Sequence, residues 1–185
     1  MVGSPHCPQA VRAEASKAAF GERLITNNLR GLVAEVIVAG ALEPVWEWCS
    51  ADWAGWDFER ADGLKLEVKQ SATRQTWTTI DSKRSVCRFD IKPRTGAYEG
   101  SKWFPLIGRQ ADIYVFAHHF EDGEDADHCD PAQWRFFVVR ADQLVASAKS
   151  IGLRAVEKLA KPCTVGDLSR AVAACGAAPR SNHPA

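Results

Sequence analysis

No run of apolar residues in this 185-residue chain reaches the length of a membrane span, and no secretory signal precedes its cysteines. Membrane contact is therefore not expected. The six cysteines (Cys7, Cys49, Cys87, Cys129, Cys163 and Cys175) form no C-x-x-C pair, so reduced thiols in a cytoplasmic protein are the simplest account. His118, His119, His128 and Cys129 match no regular zinc spacing. There is no surplus of either charge: 23 Lys and Arg face 23 Asp and Glu, which argues against an avid, nonspecific DNA binder. Missing too are an internal repeat, a nucleotide-binding loop, a methyltransferase motif and a separate DNA-reading module. Any such partner would be another chain.

What is present has the composition of an ordinary soluble domain, 46% hydrophobic and 25% charged. Residues 1–8 read as a flexible start, 9–176 as one domain, and 177–185 as a disordered tail. Seven tryptophans are many, and Trp46, Trp48, Trp53 and Trp56 cluster. Packing around strands is their first role, and a stacking platform for bases the second. Charge is unevenly spread. Residues 81–109 hold seven Lys or Arg against three acids, while 121–130 hold six acids and no base. That asymmetry suits a face for a polyanion, although two solvated loops would look the same.

The first segments read as helices: an Ala-rich one over 9–25 with Gly21 as a break, and a second over 27–41 capped by Asn27 or Asn28. In the second, Glu35 is the only charge from Gly31 to Leu42, so the helix is expected to be buried almost all round. A buried carboxylate needs a cation, a strong donor or a route to water. Arg30 is one candidate partner. Strands are expected at 45–49, 56–60, 64–71, 86–91, 112–117 and 134–139. A helix follows at 141–150, and a capped final helix runs from Thr164 to about Cys175. Residues 72–110 are mostly loop, with Trp103-Phe104-Pro105-Leu106 as an apolar patch inside it.

The segment from Gly63 to Ser71 carries the chemistry. Leu64, Leu66 and Val68 alternate with Lys65, Glu67 and Lys69, so Glu67 and Lys69 share one face of a strand. Trp56 and Phe58 are expected on one side of the preceding strand, with Asp57 beside them. A hairpin through Ala61-Asp62-Gly63 lays the two strands antiparallel and brings Asp57 towards Glu67. Two carboxylates and a lysine make a hard-cation site with a proton-handling partner.

On Asp57, Glu67-Val68-Lys69 and Glu35 the chain resembles the PD-(D/E)XK nuclease superfamily, the restriction-endonuclease-like fold. Trp56 stands where that motif usually has Pro. More narrowly, Trp56-Asp57, then Glu67-Val68-Lys69-Gln70-Ser71-Ala72, Trp77 and Ala111-Asp112-Ile113-Tyr114-Val115-Phe116 look like a group of bacterial members. The resemblance implies an α/β fold with a mixed central sheet flanked by helices, and Mg²⁺- or Mn²⁺-dependent cleavage of phosphodiester bonds in DNA, for restriction, defence or repair. It implies Asp57, Glu67 and the Val68 carbonyl as metal ligands. Lys69 would orient or activate water, and Glu35 would complete the site. Gln70 matches a polar position that touches DNA or the metal-bound water, or is simply a polar strand end. Arg84, Arg88, Lys92 and Arg94 are expected near phosphates on a flap. Cutting both strands with one site per chain would favour a homodimer. The competing readings are a catalytically silent nucleic-acid-binding module of the same fold and a protein-interaction domain.

Overall fold

A computed structural model of the chain describes residues 7–49, 55–79, 85–99 and 102–177. Most of the expected 1–8 start, most of the expected tail and Arg84 lie outside the described residues.

Helix α1 (Pro8–Phe20) starts with Pro at its first position, where the missing N–H costs nothing. It stops at Gly21, the break the sequence offers. Helix α2 (Asn27–Leu42) takes Thr26 as its N-cap residue, not Asn27 or Asn28. Asn27 is engaged elsewhere: its Oδ1 accepts from Arg30 Nη2 at 2.8 Å. The helix is also less buried than its apolar sequence suggests. Val33, Ala34, Val38, Ala39 and Leu42 face the core, while Leu32 and Val36 are exposed.

Five strands form one mixed sheet: β1 (Trp46–Trp48), β2 (Phe58–Arg60), β3 (Lys65–Ala72), β7 (Ile113–His119) and β8 (Trp134–Arg140), in the order β1-β2-β3-β7-β8. The β3–β7 pair is parallel and the others are antiparallel. This is the α/β architecture with a mixed sheet and flanking helices that the sequence leads one to expect. Gly63 makes the β2–β3 hairpin possible, because its φ of 81° is a conformation that side chains with a Cβ rarely adopt. Among the described residues, no helix is long and apolar enough to cross a membrane.

The two faces of the sheet bury two cores. On one, α2 and α4 (Val165–Ala177) pack against Leu66, Val68, Val115, Trp134 and Phe136. On the other, Tyr114, Phe116 and Phe137 meet Phe89 and Ile91 from a ribbon of β4 (Arg88–Asp90) and β9 (Ser150–Gly152), and Val156 from α3 (Leu153–Leu159). Each fully buried large side chain of this kind contributes roughly 1.5–3 kcal/mol. A second ribbon, β5 (Ala97–Glu99) with β6 (Lys102–Phe104), occupies the segment read as loop. The helix expected over 141–150 is not formed. Residues Ala141–Gln143 make a 3₁₀ turn, and the chain then extends into β9 because β4 supplies a pairing edge. Trp56 and Phe58 also separate, Trp56 packing on the second core and Phe58 on the first. The strand begins only at Phe58, so the alternation does not extend back to Trp56.

Candidate active site

The site lies where β2 stops covering the edge of β3. The ladder pairs Phe58 with Leu66 and Glu59 with Lys65. Asp57, one residue earlier, still donates its N–H to the Leu66 carbonyl at 3.0 Å. Its side chain then replaces the next backbone partner: Oδ2 accepts the Val68 N–H at 2.7 Å. An extended residue sends its N–H and C=O to the same edge of the strand, so the Val68 carbonyl points to the Asp57 side as well.

Three charged groups gather on this carboxylate. Asp57 is only half-buried by exposed area, yet its pKa is raised to about 7. Burial is the first cause, and the Glu35 and Glu67 charges add to it. The Val68 N–H and Lys69 pull the other way. Glu35 reaches the site from α2, where its Oε2 accepts the Trp48 indole N–H at 3.2 Å. That donor was not foreseen; the tryptophan cluster was its only signal.

Glu67 is 4% exposed. It is ion-paired with Lys69, and Arg94 Nη2 stands 3.3 Å from its Oε1. Arg94 is held there by a two-way backbone bridge to Gly108. In register, Glu67 lies beside Tyr114 and Lys69 beside Phe116 on the parallel neighbour. Burial, then Glu67, pushes the Tyr114 hydroxyl well above its usual range.

Gln70 falls on the opposite face of β3 from Glu67 and Lys69, as strand alternation requires. Its Oε1 accepts Arg30 Nε at 2.7 Å, and its Nε2 donates to Asn27. The structure therefore does not bring Gln70 to the carboxylates. Arg30 is 1% exposed and does not pair with Glu35. It donates instead to Gln70, Gln75, Asn27 and the Ile25 carbonyl, tying the start of α2 to β3. Arg30→Met strands those acceptors, each orphaned one costing about 1–3 kcal/mol. The expected result is a lowered urea midpoint with an unchanged denaturant slope.

Of the other expected cations, Lys92 and Arg88 are not among the charges that act on Asp57. Lys92 is exposed at the rim of a cleft of about 580 Å³ whose inner wall includes Glu67 and Lys69. Arg88, on β4, is exposed and donates to Ser150 Oγ at 3.0 Å.

Among the described residues, no three His, Cys, Asp or Glu side chains stand close enough to enclose one ion. Magnesium needs less than that, since it keeps several waters and is commonly held by one or two carboxylates. The donor set here is all oxygen, and Asp57 sits where burial and two neighbouring acids leave the local charge short of a cation. A hard divalent ion fits that chemistry.

No protein-family model and no curated protein matches the chain. Among solved structures it is similar to a bacterial homing endonuclease, I-Ssp6803I, with a TM-score of 0.39 and 20% identity over 69% of this chain and 77% of that one.

Proposed function

We propose that this protein is a metal-dependent nuclease of the PD-(D/E)XK type that hydrolyses phosphodiester bonds, most readily those of DNA. One observation carries the reading. The Asp57 carboxylate, bonded to the Val68 N–H at the edge of β3 that β2 leaves uncovered, feels the charges of Glu35 from a helix and of Glu67 and Lys69 from β3.

Asp57, Glu67 and the Val68 carbonyl would hold one Mg²⁺ or Mn²⁺. When bound, that ion supplies Lewis-acid neutralisation of phosphoryl charge and a lowered pKa for water. The chain's own groups supply the rest. Lys69, anchored by Glu67, orients the attacking water and stabilises charge as it builds on the phosphoryl oxygens. Glu35, fixed by the Trp48 indole, accepts a hydrogen bond from that water. Arg94 lies at Glu67, within reach of the phosphate that would occupy the cleft.

A silent binding module of the same fold is favoured by one observation, the two cations already on Glu67. The two readings separate when supercoiled plasmid, linear duplex and single strands are incubated with the protein in Mg²⁺ or Mn²⁺. The nuclease reading expects cleavage that vanishes in chelator and in Lys69→Ala. Binding without cleavage in either metal would establish the silent module.

A further inference from the structure

The cleft beside Glu67 and Lys69 has a second wall that the proposed chemistry does not use. Trp103, on β6, lines it and is 48% exposed. Its indole lies directly on the backbone at Gly96: a Cβ added there would stand 2.4 Å from the ring and 2.4 Å from the Phe104 carbonyl oxygen. Only glycine permits so close an approach, and the ring is thereby held against the loop. The remaining wall carries Lys92 and Asp90, both exposed, towards the mouth and Arg94 deeper, two cations against one acid. Arg109 keeps the wall in place by donating to the carbonyls of Ile91, Val145 and Ala148, all at 2.9 Å.

At about 580 Å³ the cleft lies in the range of sites for single small molecules. That volume suits one nucleotide better than the stacked base pairs of an intact duplex. We infer that the cleft receives one unstacked nucleotide, its base against the Trp103 indole and its phosphate between Lys92, Arg94 and the Glu67–Lys69 wall. The favoured substrate is then single-stranded or frayed nucleic acid, such as an end or a flap, rather than intact duplex. This rests on the nuclease reading above and adds the substrate class. Stacking on an indole is indifferent to sequence, because every base has a π-face.

The test measures binding of a labelled oligothymidine and of a labelled duplex, with Ca²⁺ in place of Mg²⁺, followed by cleavage of both in Mg²⁺ or Mn²⁺. Single strands are expected to bind more tightly than duplex. Trp103→Ala is expected to weaken single-strand binding by roughly 5- to 150-fold, the span of one lost base–aromatic stack. Trp103→Phe retains most of it, and Gly96→Ala, which displaces the indole, behaves like Trp103→Ala. Circular dichroism establishes that each variant is folded. Equal or tighter duplex binding, or single-strand affinity unchanged in Trp103→Ala, overturns the inference. Duplex cleavage that still depends on Lys69 would then leave the nuclease reading standing. Failure to bind either form overturns both.

Discussion

Asp57→Asn is expected to yield a protein that no longer cuts nucleic acid in Mg²⁺ or Mn²⁺ and yet is harder to unfold in chelator. The two effects have one cause. Asp57 is held at the uncovered edge of β3 by the Val68 N–H, with Glu35 and Glu67 both repelling its charge. Asparagine keeps an oxygen for the Val68 N–H and removes the charge that would hold a metal ion. Losing one such preorganised group costs about 10²–10³ in rate.

The stability gain follows from linkage. The folded pKa of about 7 lies above the 3.8 of an ordinary aspartate, so the folded state keeps its proton where the unfolded chain has lost it. In the wild type without metal, stability is fully present below about pH 3.8 and falls as pH rises through 7. At pH 8 the asparagine variant escapes that loss, which for a half-buried group amounts to roughly 2–4 kcal/mol. Urea unfolding of both chains in chelator at pH 5 and pH 8 checks it. Equal midpoints for both chains at pH 8, together with surviving cleavage, would remove Asp57 from the site.

The second large effect is acid unfolding from the opposite end of β7. His128 is 0% exposed, with its Nδ1 accepting the Ile25 N–H at 2.8 Å. Its other nitrogen stands 3.2 Å from the Arg74 carbonyl and donates to it. A second proton on Nδ1 would give up the Ile25 N–H bond and leave only the Ile25 carbonyl, 3.2 Å away, to receive it. Burial, then Arg30 and His119, hold the pKa down at about 4. His118, bonded to Thr73 Oγ1 at 3.0 Å, is also lowered to about 4, by burial and then His119.

Here the folded pKa lies below the unfolded one. The stability is present above about pH 6.5 and is lost as pH falls towards 4, because the unfolded chain takes up the protons first. His128 alone is worth about 3 kcal/mol over that window. Asp57 titrates with the opposite sign, so the cleanest measurement uses the Asp57→Asn chain. Its urea midpoint is expected to drop from pH 7 to pH 4.5, and adding His128→Asn to flatten the drop. Parallel pH profiles for the two chains would exclude His128 as the cause.

Much of the scaffold could be read without coordinates, for reasons local to the chain. The period-two pattern of residues 64–69 marks β3. The Asp62-Gly63 pair marks the turn that returns β2 along it, and the unbroken apolar run at 113–117 marks the buried β7. Propensity failed where another element had an edge to pair. Residues 150–152 extend as β9 because β4 lies open beside them, and the stretch before α3 has no helix in consequence. Trp103 was visible only as part of an apolar patch in a polar connection; the cleft it lines needs the 92–96 loop bridged to Gly108.

By itself the sequence determined that Glu67 and Lys69 point the same way and that a tight turn sets Asp57 near them; the same alternation turns Gln70 to the other face, against the role expected of it. Those relations follow from backbone geometry within one hairpin, which no distant residue alters. Only the tertiary structure decided that Arg30 turns to Gln70 and Gln75 instead of Glu35, that Trp48 caps Glu35, and that Arg94 covers Glu67. Each of these joins separate elements, and which side chains meet there depends on the face each element buries. That choice is made by the whole core at once, so no single stretch of the chain encodes it.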